Sequence, residues 1–206
     1  MKVLMLNGSH KPNGNTFSAL TEIGRQLSEE GIEYEIFQIG GKPIRDCIGC
    51  GQCSEAGCVF TDNEVNQFIA KAKEADGFIF GTPVYYAHHS GRILSFLDRA
   101  FYSAGSAFRF KPGAAVTAAR RGGSSAAYDC LNKYFGIAEM PVPGSSYWNI
   151  VYGRNVGEAE QDLEGMQTMR NLAKNMAWML KCFELGKQHG IELPDSKIEI
   201  RTNVIR

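Results

Sequence analysis

The chain has 206 residues, 22 basic against 22 acidic side chains, 44% hydrophobic residues, 23 glycines and six cysteines. That length suits one domain, and its apolar content is high enough for a buried core, which excludes intrinsic disorder. A net charge of zero removes the general positive field used by nucleic-acid or anionic-membrane binders, so any anion site has to be built locally.

Short apolar runs alternate with helical periods from the first residue. Val3-Leu4-Met5-Leu6 predicts a strand, Phe17, Leu20, Ile23 and Leu27 recur at helical spacing, and 32–39 alternates as a second strand. Thr61-Asp62-Asn63-Glu64 has the form of a capping box, followed on one helical face by Val65, Phe68, Ile69 and Ala72. Phe78-Ile79-Phe80 is a third strand, and Ile93, Leu94, Leu97, Ala100 and Phe101 mark the next helix. Residues 114–119 make a fourth strand, 126–135 a helix with Leu131 inward, and a fifth strand is expected between 137 and 152. The last helix runs from 162 to about 187, carrying Leu163, Met166, Met169, Leu172, Met176, Leu180 and Phe183. The tail Ile198-Glu199-Ile200-Arg201 alternates like a strand and offers a clasp for another subunit.

Five strand–helix alternations with continuous apolar strands predict an α/β fold, a doubly wound five-stranded parallel sheet with helices on both faces. No repeat or linker divides residues 1–206; the cysteine-rich loop at 47–58 and the helix plus tail at 162–206 decorate one domain. VLMLNG after Met1-Lys2 is too short for a secretory signal, and the longest charge-free stretch, 77–91, holds Pro83, His88, His89 and Ser90. The expectation is a cytoplasmic protein with reduced thiols or a metal, bound neither to membrane nor to nucleic acid.

In such sheets a ligand sits beyond the carboxyl ends of the strands, where the strand order switches. After strand one, Gly8-Ser9-His10-Lys11-Pro12-Asn13-Gly14-Asn15-Thr16 packs glycine, amide and hydroxyl groups against a helix N-terminus. That composition suits a phosphate cradle, with a plain turn capped by Asn15 or Thr16 as the alternative. It is neither a Walker loop nor a G-x-G-x-x-G fingerprint. After strand three, Gly81-Thr82-Pro83-Val84-Tyr85-Tyr86 offers a stiff turn and two aromatics along which a flat ring can lie; core tyrosines are the alternative. After strand four, Ala119-Arg120-Arg121-Gly122-Gly123-Ser124 supplies cations and glycine amides able to stabilise negative charge on a reduced ring, with a solvated arginine pair as the alternative.

Gly-Ser-x-x-x-x-Gly-Asn-Thr, Gly-Thr-Pro-Val-Tyr and Ala-Arg-Arg-Gly-Gly together resemble the NADPH-dependent FMN reductase family of the flavodoxin-like superfamily. The compact run Cys47-x2-Cys50-x2-Cys53-x4-Cys58 resembles that family's iron–sulfur flavoprotein branch. The resemblance implies a flavodoxin-like fold and FMN. Its phosphate would lie around Ser9, His10, Asn13, Gly14, Asn15 and Thr16, and its ring along Pro83, Val84, Tyr85 and Tyr86. Ala119, Arg120, Arg121, Gly122 and Gly123 would flank that ring. At His10 many relatives have proline followed by a cation, so Lys11 is the residue placed to take over that charge.

The C-x2-C-x2-C run is also that of bacterial ferredoxins, with Cys58 able to supply the fourth thiolate. Zinc, an empty remnant and a redox-active thiol pair are the alternatives; spacing and resemblance together favour a [4Fe–4S] cluster. Cys130 and Cys182 fall in helical patterns and read as core thiols. His88 and His89 invite a proton-donor role, the duller reading being a helix-entry histidine in solvent. Trp148 beside Tyr147 either covers a flavin or belongs to the core.

The expected function is therefore redox transfer from NAD(P)H, or from a ferredoxin-like protein, through FMN and the cluster. A cluster-free FMN or quinone reductase and a zinc-stabilised non-redox binding module are the alternatives. The resemblance implies a homodimer or homotetramer.

Overall fold

The computed structural model describes residues 1–206 except 55, 62, 63, 203, 205 and 206. Chain order is β1 (Lys2–Asn7), α1 (Asn15–Glu29), β2 (Glu33–Gln38), α2 (Glu64–Glu74), β3 (Gly77–Tyr85), β4 (His88–His89) and α3 (Gly91–Ala104). Then follow β5 (Gly113–Ala119), α4 (Ser124–Ile137), β6 (Ile150–Tyr152) and α5 (Leu163–Gln188). The capping box ahead of α2 lies partly outside the described residues, because it includes 62 and 63.

The strands stand in the order β2-β1-β3-β5-β6, all parallel, with the two-residue β4 antiparallel to the end of β3. β1 shows why the sheet is covered on both sides. Its Leu4 and Leu6 pack with α2, α3 and α4, while Val3 and Met5 pack with α1 and α5. Alternate residues of a strand point to opposite faces, so an unbroken apolar run is what a doubly covered strand requires. The order reverses between β1 and β3, which opens a crevice beyond their carboxyl ends.

Three expectations change. The third strand does not stop at Phe80: Gly81, Thr82 and Pro83 remain paired with Val116, Thr117 and Ala118 of β5. β1 ends opposite Gly81, so beyond it β3 is an edge on that side, where proline is tolerated. The helix α5 has 26 residues, about 39 Å, whereas six-residue β1 spans about 20 Å. Its last turns therefore overrun the sheet, leaving Phe183 and Cys182 exposed in place of the expected core positions; Leu163, at its first turn, is exposed too, and Cys130 is half-buried. Residues 191–202 form no strand; Ile198 and Ile200 are exposed, and the tail is held at Ser196, whose hydroxyl accepts from Arg109 at 2.9 Å.

Candidate functional site

The loop after β1 is shaped by two residues that the sequence pattern did not single out. Asn7, fully buried at the end of β1, accepts from the Ser9 N–H at 3.1 Å and donates to Gln38 Oε1 at 2.6 Å. Gln38 in turn donates to the Ser9 carbonyl at 2.7 Å, and Ser9 Oγ accepts from the Lys11 N–H at 3.1 Å. The loop is thus folded by polar side chains at the ends of β1 and β2. It hands over to α1 at Gly14, which serves as N-cap without a side-chain cap and with no acidic residue in the first turn. The leading amides of α1 are thus left without a side-chain cap, at the positive end of the helix dipole. Asn15 Oδ1 accepts from the Ala159 N–H at 3.2 Å, and Thr16 is buried, so both also brace the helix end. Asn13 is exposed.

β3 and β4 are joined through Tyr86 and Ala87, both at positive φ, 50° and 60°. This is the pattern of a two-residue type I′ hairpin, here without the usual glycine or asparagine, at a cost of about 1–3 kcal/mol for each such residue. The turn thrusts Tyr85 and Tyr86 outward: Tyr86 is fully exposed and Tyr85 42% exposed, so neither is a core tyrosine. The Tyr85 hydroxyl meets His10 Nδ1 at 3.1 Å, tying the first and second loops across the crevice. Behind them, Ser90 donates to the Gly8 carbonyl at 3.3 Å and its N–H donates to Thr82 Oγ1 at 3.2 Å. Pro83 and Val84 are half-buried at the rim.

The third loop closes against this turn. Gly123 has φ +97°, and a Cβ there would sit 2.2 Å from Ala87 Cα, so no side chain fits. Gly123 is the N-cap of α4, again without a side-chain cap or an acid in the first turn. Ala119 is buried at the end of β5, while Arg120, Arg121 and Gly122 are exposed. Among the described residues neither arginine has a hydrogen-bond or ion-pair partner. The contrast with α5 is informative: there Asp162 caps the helix, accepting from the Gly165 N–H at 2.9 Å. Two uncapped helix ends, two unengaged cations and two outward tyrosines share one sheet edge, an arrangement suited to a planar anionic ligand.

His89 corrects the reading of a solvent histidine. It is buried in β4, with Nδ1 at 3.2 Å from the Ser90 carbonyl. Burial holds its pKa below the ordinary imidazole value, against the raising effect of the Ser90 carbonyl. His88 is exposed, and Tyr147 and Trp148 are exposed and packed edge to face, which removes Trp148 from the core.

The four clustered cysteines line a separate cavity of about 180 Å³ with Phe60, Arg99 and Tyr102. Gly49 and Gly51, at φ +64° and +67°, let the chain coil between Cys47, Cys50 and Cys53. Burial, then the neighbouring thiols of Cys58, Cys50 and Cys47, pushes the Cys53 thiol up from its ordinary value. Arg99, 1% exposed on α3, donates from Nε to Cys58 Sγ at 3.3 Å. Two helical turns earlier, Arg92 binds the carbonyls of Gly40 and Lys42 at 2.5 and 2.7 Å. Neither arginine was singled out from the sequence; their i, i+7 spacing on one helix face was the available signal. Among the described residues no three His, Cys, Asp or Glu side chains converge tightly enough to grip one ion. The four thiols line one cavity, a soft donor set whose chemistry suits either an iron–sulfur cluster or zinc.

A second cavity, about 1080 Å³, lies at the opposite, amino edge of the sheet between Lys111, Pro112, Met140 and the end of α5, and none of the loops after β1, β3 and β5 lines it. No described helix is long and apolar enough to cross a membrane.

Residues 1–155 match the family described as NADPH-dependent FMN reductase. An iron-sulfur flavoprotein of Methanocaldococcus jannaschii is 35% identical over 189 residues, covering 88% of this chain and 98% of the relative. Among solved structures, RosB with bound 8-demethyl-8-formylriboflavin-5′-phosphate superposes with TM-score 0.68 at 17% identity, over 100% of this chain and 94% of that one. A flavodoxin from the domain Archaea gives TM-score 0.60 at 14% identity, over 88% and 99%.

Proposed function

The chain belongs to the NADPH-dependent FMN reductase family and has the flavodoxin-like fold, and from that premise we propose an oxidoreductase that binds FMN at the carboxyl edge and a [4Fe–4S] cluster at its four cysteines. The amides of Gly14, Asn15 and Thr16, with Ser9 and His10, hold the phosphate, and Asn13 lies at the outer rim of that cradle. Pro83, Val84, Tyr85 and Tyr86 form the shelf for the ring. Ala119, Arg120, Arg121, Gly122 and Gly123 present amides and positive charge along it, favouring the electron-rich form of a bound flavin. When bound, FMN accepts electrons in pairs and releases them singly, the conversion that links a nicotinamide to a one-electron centre.

The observation that carries the finer part of this reading is the ring of Cys47, Cys50, Cys53 and Cys58 around one cavity, in a chain whose relative bears the name iron-sulfur flavoprotein. NAD(P)H or a ferredoxin-like protein as donor, and assembly into homodimers or homotetramers, belong to the same proposal. The absorption spectrum of protein prepared without oxygen tests it, read before and after NADPH. Flavin bands over broad iron–sulfur absorption, with the flavin bleached by NADPH, is the expected result. Flavin without iron or sulfide would leave a cluster-free reductase, and a colourless zinc protein would contradict both.

A further inference from the structure

Among the described residues, Arg99 is the largest fully buried side chain. A guanidinium is costly to remove from water unless its donors are engaged, and its partners show what the burial achieves. Nε donates to Cys58 Sγ at 3.3 Å, Nη2 to the Phe60 carbonyl at 2.9 Å and Nη1 to the Arg45 carbonyl at 3.4 Å. Arg45 precedes the first cysteine of the loop and Phe60 follows the last, so one planar fork closes both ends of the cysteine segment. The Cys58 main chain is held as well: Asn66 accepts from its N–H at 2.9 Å and donates to its carbonyl at 2.8 Å. Among the described residues, the sulfurs of Cys47, Cys50 and Cys53 have no hydrogen-bond partner. The pocket therefore has one anchored thiol and three carried on a glycine-rich turn.

We propose that Arg99 is a positioning residue of the cysteine pocket: its N–H···S bond fixes the Cys58 sulfur and raises the reduction potential of the cluster. The inference rests on the cluster reading above. An added electron increases negative charge on the sulfurs, so a donor aimed at one of them stabilises the reduced state more than the oxidised one. Lysine is a poor substitute, because a compact ammonium cannot reach a sulfur and two carbonyls in one plane.

The test compares wild-type protein with Arg99→Met and Arg99→Lys, all purified without oxygen, by iron and sulfide content and by a potential titration followed by low-temperature paramagnetic resonance. Arg99→Met is expected to shift the oxidised-to-reduced equilibrium about tenfold toward the oxidised form, a potential lower by about 59 mV for a one-electron couple. Arg99→Lys shifts it in the same direction by less. If Arg99→Met fails to retain iron, the Arg99→Lys potential decides. Iron-loaded variants with the wild-type potential would overturn the inference while leaving the cluster reading intact. Wild-type protein without iron or sulfide would overturn that reading and the inference with it.

Discussion

The two candidate sites are built in opposite ways. At the carboxyl edge, the geometry comes from regular elements: the ends of β1, β3 and β5 and the N-termini of α1 and α4 set where amides, tyrosines and arginines point. Among the described residues of 47–58 no helix or named strand forms, and the segment is shaped by left-handed glycines and held by side chains outside it, Arg99 and Asn66. Motif residues suffice to locate a site of the first kind. A site of the second kind is announced by its ligands but held by residues far away in sequence. The helix α3 serves both, with Ser90 at its start bonded to the loop after β1 and Arg99 bonded to Cys58.

This division predicts separable damage. The largest effect is expected from Gly123→Ala, which combines a positive φ with a Cβ against Ala87. It should cost about 3 kcal/mol of stability, read as a lower urea midpoint, and should deplete flavin more than iron; equal depletion of both would break the distinction. Cys58→Ser should do the reverse, losing most of the iron while flavin content stays near the wild-type value, as measured by metal and flavin analysis after anaerobic purification. His10→Phe removes the link to Tyr85, worth about 1 kcal/mol, so FMN affinity should fall about fivefold in a fluorescence titration with no change in iron.

The smallest effect concerns pH. His89 is held below the ordinary imidazole value by burial, helped by His88 and opposed by the Ser90 carbonyl and Asp98. As pH falls, the unfolded chain takes up the proton first. The stability contributed by neutral His89 is thus full above about pH 6.5 and is lost as pH falls toward the depressed folded value. Denaturation midpoints between pH 7.5 and 5.5 should decline, and His89→Asn should flatten that decline; an unchanged slope would remove His89 as its source.

Much of this was legible in the sequence because α/β alternation and carboxyl-edge loops are local patterns. The succession of strands and helices along the chain, both glycine-rich loops and the four-cysteine run were readable. Asn7, Gln38 and Arg99 were not, since a buried polar residue looks like an ordinary surface residue until its partners are known. Cys182 and Phe183 misled for another reason: helical period identifies a face, and cannot show where a long helix runs past the sheet that should cover it. The length of β3 was underestimated because Gly81-Thr82-Pro83 reads as a turn, whereas pairing with β5 carries it on as strand.

The proposed function requires flavin and an iron–sulfur cluster in the same chain. Low-temperature paramagnetic resonance of the anaerobic, fully reduced protein, with flavin, iron and sulfide determined on the same sample, tests it most directly. One FMN per chain is expected, together with iron and sulfide in equal amounts and the resonance of a reduced [4Fe–4S] centre. Flavin-replete protein without sulfide or that resonance would contradict it.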